Sequence, residues 1–247
     1  MNTTNELTIV IPAKNEAKLI PRLLTSLTNQ DYSKMSSTRV LVADANSTDG
    51  TPEIVLSFRD RLNVGVLRGG MPSVGRNLGA ARAESQYILF LDADIELADT
   101  SLVRRCMERA GRGQLHCVTT NIICREGNWI DKLFYAGNDF FQYLSWLHRP
   151  FATGMFMLFD REKFWELGGF HEQVMFAEDY LLSQQVDRKR FAIVRGGVYT
   201  TNRRFKKMGH LRVGWLFLWT AMNFWNESHF LRDHKYWQPE PDHSPRA

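Results

Sequence analysis

Cysteine is nearly absent. Cys106, Cys117 and Cys124 are the only three in 247 residues, an odd number with no C-x-x-C pair. That argues against a disulfide scaffold and a thiolate zinc site, and for a reducing compartment. Long apolar runs are missing too. Leu7 to Ile11 is too short for the apolar core of a secretory signal, and the polar Met1 to Glu6 before it carries an acid. The longest charge-free apolar stretch, Val213 to Asn226, falls short of the ~18 residues of a spanning helix. The expectation is a cytoplasmic chain that is not integral to a membrane. Neither charge is in large excess: 31 Lys and Arg face 27 Asp and Glu, a formal net charge of +4. That is too little to argue for nucleic acid, but it suits an anionic ligand or an anionic membrane surface. At 44% hydrophobic and 23% charged residues, the composition is that of a globular chain and not of a disordered, collagen-like or coiled-coil one.

What is present is an alternation of strands and helices. Leu7 to Ile11, Val40 to Ala43, Val64 to Leu67 and Tyr87 to Leu91 are short apolar runs of the kind that form buried strands. Between them lie helical patterns. Leu19, Ile20, Leu23, Leu24 and Leu27 form one, with Asn15 and Glu16 at its start. Ile54, Val55 and Phe58 form another, with Ser47, Thr48 and Asp49 read as its caps and Pro52 in its first turn. A third helix is read around Val74 to Arg82 after the turn Gly69-Gly70. Such alternation predicts a mainly parallel sheet covered on both faces. The second half is richer in Trp and Phe, with strands read at Val118 to Ile123, Met155 to Phe159 and Ala192 to Arg195. No Pro/Gly/Ser linker separates the halves. The reading is one domain, 1–237, with a nucleotide-binding half of about 1–115, an acceptor half of about 116–237 and a disordered tail at 238–247.

Three of the strands are followed at once by polar groups: Pro12, Asn15 and Glu16; Asp44, Ser47 and Asp49; Asp92 and Asp94. Ligands of open parallel sheets bind beyond the carboxyl ends of the strands, where these groups would converge. Asp92-Ala93-Asp94 places two carboxylates where a hard divalent cation could bridge to phosphate oxygens; its ordinary reading is a pair of solvated loop aspartates. Asp44 can accept a hydrogen bond from a ring N–H such as that of uracil. Arg76, in Gly75-Arg-Asn-Leu-Gly79, is read in the first turn of a helix, where a guanidinium suits phosphate, or else as a surface arginine. Glu178-Asp179 follows an apolar run and precedes leucines. Partial burial there would raise a carboxyl towards what a general base needs, while the plainer reading is charge complementing a helix start.

In order, the motifs are P-x-x-N-E (Pro12, Asn15, Glu16), D-x-x-S-x-D-G-T (Asp44 to Thr51), G-R-N-x-G-A (Gly75 to Ala80) and F-L-D-A-D (Phe90 to Asp94). Thr153-Gly154, G-G-F-x-E (Gly168 to Glu172) and Glu178-Asp179 follow. Together they resemble the family 2 glycosyltransferases of the GT-A fold, over about residues 7–205. The resemblance implies an α/β GT-A fold: a mainly parallel, Rossmann-like sheet, helices on both faces and an acceptor-side lobe. It implies inverting, metal-dependent transfer of a sugar from a nucleoside diphosphate, UDP being favoured by Asp44, to an acceptor hydroxyl or lipid phosphate. The setting would be cell-envelope polysaccharide or glycolipid synthesis. Pro12, Ala13, Asn15 and Glu16 would line the nucleotide pocket and Asp44 would read the base. Arg76 would lie near the nucleotide or its diphosphate. Ala93 would line the nucleotide-sugar site, Asp92 would contact the ribose or the metal, and Asp94 would hold Mn²⁺ or Mg²⁺ against the diphosphate. Gly154 would shape the acceptor side, and Asp179 would be the base with Glu178 beside it.

The sequence departs from the family pattern at His171, where an Asp is usual and where no catalytic role is read. The Q-x-x-R-W motif of processive members is also missing, which implies single addition. Thr201 to Phe205 stands in its place, and Arg203 or Arg204 is read either as closing over the diphosphate or as part of a basic loop. Arg203, Arg204, Lys206, Lys207, His210 and Arg212 precede a helix, apolar nearly all round, that carries Trp215, Trp219 and Trp225. It is read either as core or as a peripheral membrane contact serving a lipid-linked acceptor. Two rivals are weighed. A nucleotidyltransferase would need a Gly-rich phosphate loop after the first strand, and Ala13-Lys14-Asn15 has no glycine. A catalytically inactive sugar-nucleotide-binding scaffold should have lost Asp92, Asp94 or Asp179, all of which are present.

Overall fold

The computed structural model describes residues 6–145, 147–223, 226–232 and 234. Trp225 and the tail 238–247 lie outside the described residues. The first half alternates as expected: β1 (Leu7–Ala13), α1 (Ile20–Thr28), β2 (Arg39–Asp44), α2 (Thr51–Leu56), β3 (Asn63–Arg68), α3 (Pro72–Ala80) and β4 (Tyr87–Leu91). Then come β5 (Glu96–Leu97), α4 (Leu102–Gly113), β6 (Cys117–Cys124), α5 (Trp129–Ser145), β7 (Phe156–Asp160), α6 (Arg161–Glu166) and α7 (Glu178–Ser183). The chain continues through β8 (Phe191–Thr200), α8 (Arg203–Met208), α9 (His210–Met222) and α10 (Glu227–Leu231).

All eight strands form one sheet in the order β3-β2-β1-β4-β7-β6-β8-β5. β3, β2, β1 and β4 are parallel, and β6 and β8 run the same way. Only β7 and the two-residue β5 run against them. The apolar runs of β1 and β4 are explained by burial on both faces. Leu7, Ile9 and Ile11 join the cluster under α1 and α4. Val10, Ile88 and Phe90 join the opposite cluster, where Phe90 meets Phe164 and Phe170 at ring centroids of 5.0 Å. α3 lies directly on β1: a methyl at Gly79 would sit 2.3 Å from Val10 Cγ1, so only glycine permits that approach.

Local signals misplace one detail. Ser47, Thr48 and Asp49 do not cap α2 as N-cap residues; the N-cap is Gly50 at φ +87°, with no side-chain cap. Asp49, just before that residue, still accepts from the first helical N–H, that of Thr51, at 3.1 Å through Oδ1, while its Oδ2 and Ser47 Oγ turn to the loop after β1. Cys106, Cys117 and Cys124 are free and buried. No described helix is long and apolar enough to cross a membrane.

Candidate active site

The parallel strands β1, β2 and β4 deliver their carboxyl ends to one crevice. Pro12 and Ala13 pair in register with Ala43 and Asp44. Beyond them, two loops are clasped together. Asn15 (φ +55°) donates its N–H to Ser47 Oγ at 2.8 Å and accepts from the Thr48 N–H at 2.9 Å. Glu16 N–H reaches Thr51 Oγ1 at 2.9 Å, and Ala17 N–H reaches Asp49 Oδ2 at 2.9 Å. Asn15 is exposed and joins the two loops through its N–H and its Oδ1. Asp44 is buried; its Oδ2 accepts from the Ser47 N–H at 3.0 Å, while its Oδ1 is buried with no protein partner. A buried, unpaired carboxylate oxygen is costly, and a ligand N–H is the group that would complete it.

The second half of the crevice is a carboxylate cluster around one guanidinium. Arg76 lies in the second turn of α3, not the first, and is only 1% exposed. Its Nη1 and Nη2 face protein carboxylates, and its buried Nε has no protein partner. Nη2 meets Asp92 Oδ1 at 2.5 Å, and Nη1 meets Glu178 Oε1 at 2.6 Å. Glu178 begins α7 beside Ala177, whose φ of +59° turns the chain inward. Next to it, Asp179 accepts from the Gly154 N–H at 2.5 Å through Oδ2 and from the Tyr180 N–H at 2.8 Å through Oδ1. Burial pushes Asp179 above the ordinary carboxylate range, against Arg76 and these two N–H groups; Asp92 adds to the rise. Burial likewise raises Glu178. Gly154 is the hub between them: a methyl there would lie 2.6 Å from Arg76 Nη2 and 3.3 Å from Asp179 Oδ2.

Ala93 is buried, and Asp94 stands partly exposed at the mouth. Arg203, the first residue of α8, grips Glu16 with both nitrogens at 2.7 and 3.1 Å and Asp94 at 3.1 Å. Burial and then the nearby Asp92 raise Asp94, with Arg203 and Arg204 opposing. Burial also raises Glu16, with Arg203 opposing. The donor set is all oxygen, the kind that hard divalent cations take; Asp94 and Glu16 hold the Arg203 guanidinium between them, and among the described residues no three such side chains form a metal-holding group. Two aspartates are fewer than an all-protein cage needs, and diphosphate oxygens would complete the shell.

Sequence reasoning missed the supports. Asn77 fixes the Gly168 to Glu172 loop: it donates to Phe170 O at 2.8 Å and Glu172 Oε1 at 3.0 Å and accepts from Phe170 N–H at 3.0 Å. His171 in that loop is exposed. Buried Asp131 of α5 accepts from Asn202 at 2.9 Å and meets His210 at 2.6 Å, anchoring both sides of α8. Burial works to raise Asp131, but these bonds and the Asn128 N–H outweigh it and hold the carboxyl low. Only the Asn after Arg76 and the Asn before Arg203 gave any signal.

The sequence model of the family described as Glycosyl transferase family 2 matches residues 8–168, and the chain belongs to that family. It is 38% identical over 90 residues to a poly(ribitol-phosphate) beta-N-acetylglucosaminyltransferase of Staphylococcus aureus, covering 35% of this chain and 16% of that protein. It is 30% identical over 130 residues to the GalNAc(5)-diNAcBac-PP-undecaprenol beta-1,3-glucosyltransferase of Campylobacter jejuni, covering 50% of this chain and 40% of that one. The matches thus span well under half the length of these relatives. Among solved structures, the Staphylococcus aureus enzyme in complex with UDP-GlcNAc superposes with a TM-score of 0.64 at 22% identity, over 80% of this chain and 59% of that one. A mannosyltransferase from Pyrobaculum calidifontis, in complex with GDP-Man and Mn²⁺, gives 0.65 at 19% identity, over 87% and 61%. The expected GT-A fold is the fold observed.

Proposed function

We propose that this family 2 glycosyltransferase moves a sugar from a nucleoside diphosphate, UDP in the favoured reading, to an acceptor hydroxyl, with inversion. The observation that carries it is the meeting, beyond three parallel strands, of an unpaired Asp44 oxygen, the Asp92/Asp94 pair and a hydrogen-bonded Asp179. Asp44 would accept the base N–H. Asp179, held by Gly154 and Tyr180, would take the acceptor proton as the acceptor oxygen bonds to the anomeric carbon. The bond from that carbon to the diphosphate oxygen breaks, and its electron pair leaves with the nucleotide. A single in-line displacement needs one base and no carboxylate nucleophile. Asp94 and Asp92 would hold Mn²⁺ or Mg²⁺, which when bound would neutralise charge on the leaving diphosphate. Arg203 would exchange Asp94 for the same diphosphate.

A base with a raised pKa favours a hydroxyl acceptor, because a phosphate needs no deprotonation by it. One relative is named for an undecaprenol-linked substrate and another as a 4,4'-diaponeurosporenoate glycosyltransferase. Both names support a lipid-linked acceptor, in cell-envelope or glycolipid synthesis, met through a peripheral membrane contact at 203–225. Calorimetry across a panel of nucleotide sugars with and without Mn²⁺, paired with donor hydrolysis, tests the reading. One donor should bind in a metal-dependent manner, and Asp94→Ala should abolish the dependence. Absence of binding to every donor with metal present would refute the proposal and favour an inactive scaffold.

A further inference from the structure

α5 turns an apolar face outward. Trp129, Leu133, Phe140, Leu144 and Leu147 recur one or two helical turns apart along α5 and just past its end, and they are 73, 61, 63, 47 and 60% exposed. Helical periodicity of this kind ordinarily marks a face packed on a core; here it marks a face left open. α9 repeats the arrangement with Leu211, Trp215, Leu218 and Met222, at 90, 60, 53 and 43%. Trp219 stacks on Trp215 at 5.7 Å. The two helices touch: Phe134 of α5 lies 5.6 Å from the His210 ring of α9, and Gly214 gives Phe134 its room.

We infer that α5 and α9 together form a docking platform for an anionic lipid surface. Charge decides among occupants. α9 has no acidic residue, and the two acids of α5 are turned inward: Asp131 is buried, and Asp139 accepts from Ile122 N–H and Asn121. Exposed Lys132, Lys206 and Arg212 lie on or beside the two helices, and the exposed acid just before α5, Glu126, is paired with Arg22 at 2.6 Å. A second copy would set these rims against each other, whereas anionic headgroups satisfy them while the tryptophans and leucines enter the interface. α5 and α9 span roughly 25 and 20 Å, enough to lie in a bilayer surface and too short to cross it. The platform is tied to the site through Asp131, which holds the Asn202 that precedes Arg203. This deepens the lipid-linked acceptor reading and rests on it for its purpose, not for its test.

The test is flotation of the full chain with vesicles of phosphatidylcholine alone or mixed equally with phosphatidylglycerol, without nucleotide. Binding to the mixed vesicles is expected, weakened roughly fivefold by Lys206→Ala. It should fall about tenfold or more in the double variant Phe140→Glu/Trp215→Glu. Both substituted positions are exposed, so the double variant should melt with the wild type. No binding to mixed vesicles, or binding unchanged in the double variant, would overturn the inference. So would a wild-type dimer in light scattering that the double variant disperses, which would assign the faces to a second copy. Failure here with donor binding intact would leave the transfer reading standing, and loss of donor binding with flotation intact would do the reverse.

Discussion

Gly154→Ala adds one methyl at the point where the fold and the chemistry meet. The backbone at this position is not in the left-handed region, so the substitution tests space alone. The new carbon would stand 2.6 Å from Arg76 Nη2, 3.1 Å from its Cζ and 3.3 Å from Asp179 Oδ2. An arginine tip can usually step aside at little cost. This one cannot, because the side chain is buried and its two nitrogens are committed to Asp92 at 2.5 Å and Glu178 at 2.6 Å. Overpacking of this kind costs about 1–3 kcal/mol, or a fall in Tm of roughly 2–12 °C for a chain of this length. The methyl also presses on the carboxylate that Gly154 N–H orients. A general base contributes about 10²–10⁴ in rate, and displacement by about an ångström costs on the order of 100-fold. The expected result is kcat lowered about 100-fold with donor Kd nearly unchanged, because Asp44 and the loop clasp lie on other elements. Thermal melting, steady-state kinetics and calorimetry on one preparation read all three quantities. A variant that melts with the wild type and turns over within threefold of it would refute the reasoning about Arg76 as a fixed wall.

Arg76→Met should cost about 3–5 kcal/mol in urea unfolding, because Asp92 and Glu178 keep their burial and lose their cation; a loss under 1 kcal/mol would show that water reaches the cluster. Arg203→Ala should leave stability within about 1 kcal/mol, since that side chain is 39% exposed. It should weaken donor binding roughly 10–100-fold if Arg203 meets the diphosphate, and equal calorimetric affinities would remove it from that role. Because Asp179 must be ionised to act and burial raises its pKa, kcat/KM should climb with pH through an acid limb lying above the ordinary carboxylate value of about 4. A limb at or below that value would contradict the assignment. The same protons make a stability statement: the folded chain keeps protons on Asp179, Glu178, Asp94 and Glu16 that the unfolded chain has released. Stability therefore falls as pH rises from the ordinary carboxylate range through the raised values. Asp131, held low, acts oppositely and loses its contribution as pH falls through its depressed value.

The division between what the chain announces and what it conceals follows the range of the interactions. β1, β2 and β4 are legible because burial on both faces demands an unbroken apolar run, and the polar residue ending each run marks where solvent begins. The convergence of Asp44, Asp92 and Asp94 follows from strand ends alone. Arg76 is different. Its local surroundings on α3 suggest a phosphate contact, yet its partners come from 16 and 102 residues away, and no short-range pattern encodes that. Ser47 is drawn away for the same reason, its Oγ taken by the N–H of Asn15 (φ +55°) across 32 residues, while Asp49 serves both the Thr51 N–H that opens α2 and the N–H of Ala17. α5 sets a sharper limit. A stripe of Trp, Leu and Phe at helical spacing states only that water is unfavourable on that face. Whether protein or lipid replaces the water depends on what lies opposite, and here the sheet takes the other side of the helix, through Gln142 and Asp139. Periodicity therefore predicts an amphipathic helix equally well for either outcome. It is the exposure of the apolar stripe, with the acids Asp131 and Asp139 turned inward, that separates this helix from a core helix.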